Sequence, residues 1–211
     1  MNNNVLRNIS YGVYVISTLD ESRATGCIAN SVIQVTQNTV AISINHNNFT
    51  NQCIKNSKKF AISILGENCD ENIIPVFGFQ TSKDTDKFKN FETETINGLS
   101  IIKNSIGYII CDLKNCFETE THTIFLGKII DGDILNTGNV MTYAYYHKVK
   151  KGTSPKNAPT YIKEESANSN EIAYRCSICG YIHNGDLTKE PDSFICPVCK
   201  QPKSVFEIIT T

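Results

Sequence analysis

The sequence has little net charge and no long apolar run, and these absences exclude several classes of protein. Its 211 residues include 20 Lys and Arg against 21 Asp and Glu, a net charge of −1. Such a chain has no strong field to attract nucleic acid or an acidic membrane. No stretch approaches the roughly 20 apolar residues that cross a bilayer, and the first residues, MNNNVLRNISYG, lack the apolar core of a signal peptide. We therefore expect a cytoplasmic protein without nucleic-acid or membrane partners.

Several common enzyme motifs are also absent. The chain has no G-x-G-x-x-G after a predicted strand, the fingerprint of a dinucleotide held in a Rossmann fold. It has no P-loop, no G-x-S-x-G and no H-E-x-x-H, which argues against hydrolases. The composition, 40% hydrophobic and 19% charged, is that of an ordinary globular protein. The length allows one full-sized domain and a small extra module.

The nine cysteines are unevenly distributed. In a cytoplasmic protein they are expected to be thiols or metal ligands, because disulfides are rare in that compartment. Four of them form two pairs near the end of the chain. The other five are scattered over the front part and are expected to behave as small buried hydrophobic residues. These five are Cys27, Cys53, Cys69, Cys111 and Cys116.

A polar segment divides the chain. Residues 163–170, KEESANSN, are poor in apolar side chains and cannot bury enough surface to fold alone, which is typical of a linker. We therefore predict a first domain over 1–162, a linker over 163–170 and a second domain over 171–211. The second domain is close to the lower size limit for a self-sufficient hydrophobic core, so it needs a staple such as a bound metal.

The first domain is predicted to be mainly β. Segments rich in Ile, Val, Phe and Tyr, several with strict apolar–polar alternation, predict strands over 11–18, 40–45, 61–65, 106–113 and 122–130. Many short strands without regularly alternating helices favour a barrel or a sandwich. Two short helices are predicted between the strands, one over 48–55 with Asn48 as its cap and one over 71–77.

The second domain contains two C-x2-C motifs. Sixteen residues separate the pair Cys176 and Cys179 from the pair Cys196 and Cys199. This spacing places four thiolates around one tetrahedral metal ion. Spacing alone does not distinguish iron from zinc.

The residues around the four cysteines favour iron. Gly180 and Pro197 suit tight loops that turn backbone N–H groups toward the sulfurs. Such hydrogen bonds and apolar surroundings raise the potential of bound iron, whereas zinc ribbons more often have a polar exterior. The apolar surroundings come from a dense set of large side chains: Tyr174, Tyr181, Phe194, Ile195 and Phe206.

This segment, YRCSICGYIHNGD…PDSFICPVCKQPKSVFEII, resembles a rubredoxin of the short variety. It lacks the longer acidic loop between the two cysteine pairs, and Phe194 stands where a tryptophan is usual. The resemblance implies a one-electron carrier that cycles between ferric and ferrous iron.

The front part resembles a second family. Four stretches, in this order, are similar to the flavin reductase-like FMN-binding split barrels: ISYGVYVISTLDESRATGCIANSVIQVTQNTVAISINHNNFTNQCI, FGFQTSKDTDKF, THTIFLGKIIDGD and MTYAYYHKVKKGTSPKNAPTY. The resemblance covers essentially residues 1–162. It implies a six-stranded Greek-key barrel, a homodimer, FMN near the subunit interface and reduction of the flavin by NADH or NADPH.

The resemblance also implies which residues hold the flavin. It assigns the cradle to a loop over 25–31 and to a second segment, in particular to Ala29, Asn30, Ser31, Asn45, Asn48 and Thr50. The chemistry is suitable, because small side chains let the ring approach the backbone and a helix start offers N–H groups to a phosphate. A cap or turn role is the alternative for each polar residue of this set.

Three further residues are assigned by the same resemblance. Lys83 and Lys87 match positions where relatives have a basic or hydroxyl group near the phosphate, with solvated surface charge as the alternative. His122 matches a histidine beside the flavin ring, where a neutral imidazole can hydrogen-bond the nicotinamide. A structural strand histidine is the alternative.

Together the two resemblances predict an electron-transfer oxidoreductase. Electrons would pass from NADH or NADPH through FMN to the iron centre and then to an acceptor, for which the resemblance suggests a flavodiiron protein. Two alternatives remain open. One is a free-flavin reductase with a structural zinc-ribbon tail, and the other is a non-enzymatic flavin-binding split barrel.

Overall fold

The computed structural model describes residues 3–150, 152, 154–155, 158–160, 173–179 and 181–209. The chain forms two compact units, Met1–Lys150 and Lys151–Thr211. The predicted linker over 163–170 and the predicted loop residue Gly180 lie outside the described residues. The domain boundaries at 162 and 171 therefore stay predictions.

The first unit is built around one antiparallel β-sheet. Its strands are β1 (Tyr14–Asp20), β2 (Arg23–Ala29), β3 (Val32–Thr36), β4 (Thr39–Asn45), β5 (Lys59–Leu65), β6 (Thr93–Ile96), β7 (Leu99–Ile102), β8 (Ser105–Glu118) and β9 (His122–Ile134). Its helices are α1 (Phe49–Ser57), α2 (Ile73–Phe79), α3 (Tyr143–Lys148) and a 3-10 helix over Asn3–Asn8. The sheet order is β2-β1-β5-β8-β9-β4-β3, and β6 pairs with β7 separately. The predicted mainly β fold class is confirmed.

The strand count differs from the expectation. Within the described residues the sheet contains seven strands, one more than the six that the resemblance implied. The segment 23–36 contributes two of them, β2 and β3, interrupted at Asn30 and Ser31. β2 pairs with β1 along its whole length, from Arg23 opposite Asp20 to Ala29 opposite Tyr14. Residues 25–29, expected to belong to a loop, therefore form part of a strand.

Strict alternation places the core side chains. In β4, Val40, Ile42 and Ile44 are buried, whereas the residues between them are half-buried, as the period of two predicts. Phe60 of β5 is fully buried in the same core cluster. Gly127 of β9 leaves room for it, because a Cβ atom at that position would lie 2.5 Å from the Phe60 ring.

Helix α1 begins and ends with two different caps. Asn48 precedes its first residue, and its side-chain oxygen accepts a hydrogen bond from the Thr50 N–H at 3.1 Å. Lys58 follows its last residue with a φ of 60° and donates its N–H to the Ile54 carbonyl at 3.0 Å. The predicted helix over 48–55 with an Asn48 cap is confirmed, and it extends to Ser57.

Helix α2 starts two residues later than predicted. Asp70 and Asn72 form a turn before it, in which the Asp70 carboxylate accepts the Asn72 N–H at 2.7 Å.

Within the described ranges, no helix is both long enough and apolar enough to cross a membrane.

The second unit contains a small antiparallel sheet. Its strands are β10 (Ala173–Cys176), β11 (Ile182–Asn184) and β12 (Phe206–Ile209), in the order β11-β10-β12, with 3-10 helices over Leu187–Lys189 and Lys203–Val205. The Phe206 ring lies 6.4 Å from that of Tyr181 and 5.8 Å from that of Phe194, so these predicted aromatic residues do cluster. Ile195, expected to join them, is instead 50% exposed.

Replacing Lys58 with glycine is expected to stabilise the first unit by about 0.5–1 kcal/mol, because glycine adopts a positive φ without steric cost. The matched control is Gln52→Gly, at an exposed position inside the same helix. That change should destabilise the unit by about 1 kcal/mol. The free energy of unfolding, measured by urea denaturation, checks both values. Destabilisation by Lys58→Gly would contradict the cap assignment.

Candidate functional site

The four cysteines of the C-x2-C motifs meet in one buried cluster in the second unit. Their sulfur atoms all lie within 4.8 Å of one another. The sulfurs of Cys176 and Cys199 are 3.5 Å apart, as are those of Cys179 and Cys196. Ligands about 2.3 Å from the centre of a tetrahedral site are about 3.8 Å apart, so these sulfurs fit one metal ion. The structure thus brings the complete predicted ligand set together.

Backbone N–H groups face these sulfurs, as expected for such loops. The amides of Val198 and Cys199 hydrogen-bond the Cys196 sulfur, that of Gln201 the Cys199 sulfur and that of Tyr181 the Cys179 sulfur. These hydrogen bonds spread the negative charge of thiolates, and a set of four sulfurs selects iron or zinc over harder cations. The donor set therefore fits the predicted iron and fits zinc equally well.

The residues assigned to the flavin lie in the first unit, at one end of its sheet. Asn45, the last residue of β4, lies opposite His122, the first residue of β9. Asn48 follows in the turn before α1 and donates its N–H to the Asn45 carbonyl at 3.0 Å. Thr50 lies in the first turn of α1. The fold thus brings together residues that are up to 77 positions apart in the sequence, counting from Asn45 to His122 (122 − 45).

The junction between β2 and β3 adjoins the same end of the sheet. Ala29 and Asn30 are buried there, and the Ser31 hydroxyl donates to the Asn30 side-chain oxygen at 3.1 Å. The Ser31 carbonyl accepts the Ser43 N–H at 3.1 Å. Because β3 and β4 are antiparallel and Val32 lies opposite Ile42, the residues before Val32 lie beside those that follow Ile42, up to Asn45.

Two buried hydroxyls test whether these residues fit a polar ligand. Thr25 and Thr50 are fully buried, and their hydroxyl oxygens have no hydrogen-bond partner of oxygen or nitrogen among the described residues. Cys27 follows Thr25 by two residues on β2; its thiol contacts the side chains of Thr50 and Asn48, and burial raises the pKa of this thiol. The sulfur is therefore a weak partner for the Thr50 hydroxyl, whereas the Thr25 hydroxyl has no partner among the described residues. An unpaired buried hydroxyl is costly, so a bound ligand with polar groups fits this cradle.

The two assigned lysines differ in their surroundings. Lys87 is only 4% exposed, and its Nζ donates to the carbonyls of Gly26 at 3.0 Å and Phe77 at 3.2 Å. Burial lowers the pKa of Lys87 to about 8. The alternative of a solvated charge is therefore wrong for Lys87. Lys83 is exposed; its main-chain N–H donates to the Thr81 hydroxyl at 3.2 Å, and its carbonyl accepts a long contact from Arg23 at 3.5 Å.

His122 lies at the tip of the β8–β9 hairpin and is half-buried. Its Nδ1 lies 2.7 Å from the Thr121 hydroxyl, and its carbonyl accepts the Thr119 N–H at 2.8 Å. Sequence reasoning missed Glu118, the residue that ends β8 beside this tip. Glu118 is the first residue of the stretch E-T-E-T-H, which matches no motif, so only the fold reveals the contacts of this glutamate.

Comparison with known protein families matches both units. The flavin reductase like domain family matches residues 6–154. The rubrerythrin, rubredoxin-like domain family matches residues 174–207, which include all four clustered cysteines.

Two curated relatives share about a third of their residues with this chain. A high molecular weight rubredoxin of Moorella thermoacetica is 33% identical, and the match covers 99% of this chain and 100% of that protein. A ferric-chelate reductase (NAD(P)H) of Archaeoglobus fulgidus is also 33% identical, over 74% of this chain and 95% of that protein.

Solved structures resemble the first unit. The flavin reductase PheA2 in its native state has a TM-score of 0.58 and 27% identity, over 67% of this chain and 93% of that chain. The NADH:FAD oxidoreductase SgcE6 of Streptomyces globisporus C-1027 has a TM-score of 0.60 and 22% identity, over 66% of this chain and 84% of that chain. The second likeness shows the shared fold alone.

Raising the pH should stabilise the wild type relative to Lys87→Met. The pKa of folded Lys87 is about 8 and the ordinary value is 10.5, so the unfolded chain binds more protons between those values and unfolding becomes harder as pH rises through them. The difference in unfolding free energy between the two proteins should change by roughly 3 kcal/mol over that window. Titration of the other thiols cancels because both proteins contain them, and Cys27, whose pKa is lowered by the Lys87 charge, is replaced by serine in both proteins for this comparison.

Urea denaturation at several pH values measures this difference. The control is Lys83→Met, which changes an exposed lysine and should give a pH profile parallel to that of the wild type. A parallel profile for Lys87→Met as well would contradict the burial of the Lys87 ammonium group.

Proposed function

The chain belongs to the flavin reductase-like family and ends in a rubredoxin-like domain, and we propose that it is a cytoplasmic electron-transfer oxidoreductase. It takes electrons from NADH or NADPH, uses FMN to pass them to one iron ion in the four-cysteine site, and delivers them to an acceptor such as a flavodiiron protein. The observation that carries the proposal is the pairing in one chain of a flavin reductase fold with four buried sulfurs within 4.8 Å of one another.

Flavin and iron differ in how many electrons they handle, which gives the pairing its chemical sense. FMN accepts two electrons as a hydride and releases them one at a time, whereas a four-thiolate iron accepts one. The protein therefore needs to bind, orient and shield the two groups rather than supply an acid or a nucleophile. A relative named as a ferric-chelate reductase (NAD(P)H), which is 33% identical over 74% of this chain, supports a nicotinamide donor.

We assign FMN binding to the cradle at the β4 end of the sheet. The β2–β3 junction and the start of α1 would hold the edge of the flavin ring and the phosphate, and two lysines would supply positive charge. The residues assigned to this site are Ala29, Asn30, Ser31, Asn45, Asn48, Thr50, Lys83 and Lys87. The buried hydroxyl of Thr25, which has no partner among the described residues, and that of Thr50, which has only the Cys27 sulfur, support this assignment. Asn48 would contact the flavin and also cap helix α1, since its side-chain oxygen accepts a hydrogen bond from the Thr50 N–H.

His122 is proposed to contact the nicotinamide beside the flavin. It starts β9 opposite Asn45, so its backbone is fixed next to the cradle. The contact of its Nδ1 with Thr121 restrains the ring. A neutral imidazole held in this way can donate or accept one hydrogen bond to a carboxamide.

An exposed apolar face supports the proposed homodimer. Phe117 of β8 lies opposite Ile124 of β9, and their exposed fractions are 54% and 36%. On the same face, Leu126 of β9 lies opposite Ala41 of β4, and Ala41 lies opposite Ile33 of β3, which is 65% exposed. A contiguous apolar face of this kind is typical of an interaction surface, and we propose that a second copy of the chain covers it.

Phe117→Glu is expected to convert a dimer into a monomer, because a charge would be buried in the interface. Light scattering coupled to size-exclusion chromatography measures the mass. The control is Ile208→Glu, an apolar position in the second unit that is 64% exposed, which should leave the mass unchanged. A wild type that is monomeric, or a dimeric Phe117→Glu variant, would contradict the proposed interface.

The proposed electron path predicts an order of reduction. In an anaerobic stopped-flow experiment with NADH, bleaching of the flavin should precede loss of the ferric thiolate colour. Cys196→Ser should abolish the ferric colour, because one of the four ligands is lost, and leave flavin reduction unchanged. The control is Cys116→Ser, outside the metal cluster, which should retain both signals. Reduction of iron without prior reduction of flavin would contradict the path.

A further inference from the structure

The carboxylate of Glu118 joins three segments of the first unit. Its Oε2 lies 2.9 Å from His46 Nε2 and accepts a hydrogen bond from the Thr123 hydroxyl at 2.8 Å. Its Oε1 lies 2.8 Å from Lys55 Nζ. His46 belongs to the turn after β4, Lys55 to α1 and Thr123 to β9. One side chain therefore fastens the turn, the helix and the hairpin to each other.

A buried amide extends this network inward. Asn51 of α1 is 2% exposed, and its Nδ2 donates to the Ile44 carbonyl and to the Thr123 hydroxyl oxygen, both at 2.9 Å. The chain of contacts therefore runs from Glu118 through Thr123 to Asn51. A network that continues into the core restrains its members more than an isolated surface ion pair does.

Three members of the network are sequence neighbours of residues assigned to the flavin. His46 follows Asn45, Asn51 follows Thr50, and Thr123 follows His122. On β9, successive side chains point to opposite faces, so Thr123 is fully buried while His122 is half-buried on the other face. The network therefore holds the backbone of the proposed cradle without using the cradle's own side chains.

The carboxylate is ionised in this arrangement. Its hydrogen bond from Lys55 is the largest cause that lowers the pKa of Glu118, followed by the one from Thr123. The side chain of Glu118 is 54% exposed, so its ion pairs contribute little to the stability of the whole unit. Their consequence is local, namely the relative placement of the turn, α1 and the hairpin tip.

We propose that Glu118 is a positioning residue of the flavin site, which sets the spacing between the Asn45–Thr50 segment and His122. The proposal rests on the function proposed above. It assigns to Glu118, His46 and Lys55 a role in flavin binding that acts through the backbone of their neighbours.

The test is Glu118→Gln in the full-length, iron-loaded protein freed of flavin. Glutamine retains an oxygen that can accept the Thr123 hydrogen bond but loses the charge that attracts Lys55 and His46. The dissociation constant for FMN, measured by quenching of flavin fluorescence, should rise about fivefold. The visible circular dichroism of the flavin at saturation should weaken, because the ring would be held less rigidly. The melting temperature and the ferric colour should not change.

Matched variants separate positioning from a general effect of charge. Glu120→Gln removes a carboxylate from the same hairpin tip, where it makes no ion pair within the described residues, and should bind FMN as the wild type does. Lys55→Gln and His46→Gln each remove one charged partner of the Glu118 carboxylate and should each raise the dissociation constant for FMN by about twofold. These two variants decide the question if Glu118→Gln does not fold.

Wild-type FMN affinity and circular dichroism in Glu118→Gln, or in both single-arm variants, would overturn the role of Glu118 alone. An equal loss of affinity in Glu120→Gln would also overturn it, since the effect would then follow net charge. A wild-type protein that binds no FMN would overturn the proposed function together with this inference.

Discussion

Four buried thiolates cannot share one pocket without a cation, and the second unit depends on this constraint. Sulfurs within 4.8 Å of one another would repel strongly as anions in a buried site. A bound metal removes the repulsion and replaces the hydrophobic core that so short a segment cannot supply. The small sheet, the amides that face the sulfurs and the aromatic cluster around Phe206 all serve to hold this one centre. Because the residues of the second unit are arranged around this centre, the function of the unit follows from the metal ion held there.

The first unit is subject to a different constraint, because it contains buried polar groups within a mainly apolar core. In its core, β4 buries every second side chain whereas β1 and β5 each bury four consecutive residues, and polar groups gather where β4 ends and α1 begins. Buried polar groups there are almost all used in fixing the structure. Lys87 donates to two main-chain carbonyls and Asn51 bridges α1 to β9, whereas the Thr25 hydroxyl has no partner among the described residues and the Thr50 hydroxyl has only the Cys27 sulfur.

Local patterns in the sequence were sufficient for much of this description. The alternation of Val40, Ile42 and Ile44, the Asn48 cap and the cysteine spacing each depend on residues close together in the chain, and each prediction is confirmed. β2 was not predicted as a strand, because Thr25 and Gly26 are small and its strand character comes from pairing with β1. The burial of Lys87 and the contacts of Glu118 depend on residues that only the folded sheet brings near. Those positions could not be found from sequence spacing.

The visible absorption spectrum of the protein purified without air, together with its metal content, tests the central claim most directly. The account predicts flavin bands superimposed on ferric thiolate bands, with about one iron per chain. Both sets of bands should disappear when NADH is added. A protein that carries zinc in place of iron, or that shows neither set of bands, would contradict the claim that this chain joins a two-electron carrier to a one-electron carrier.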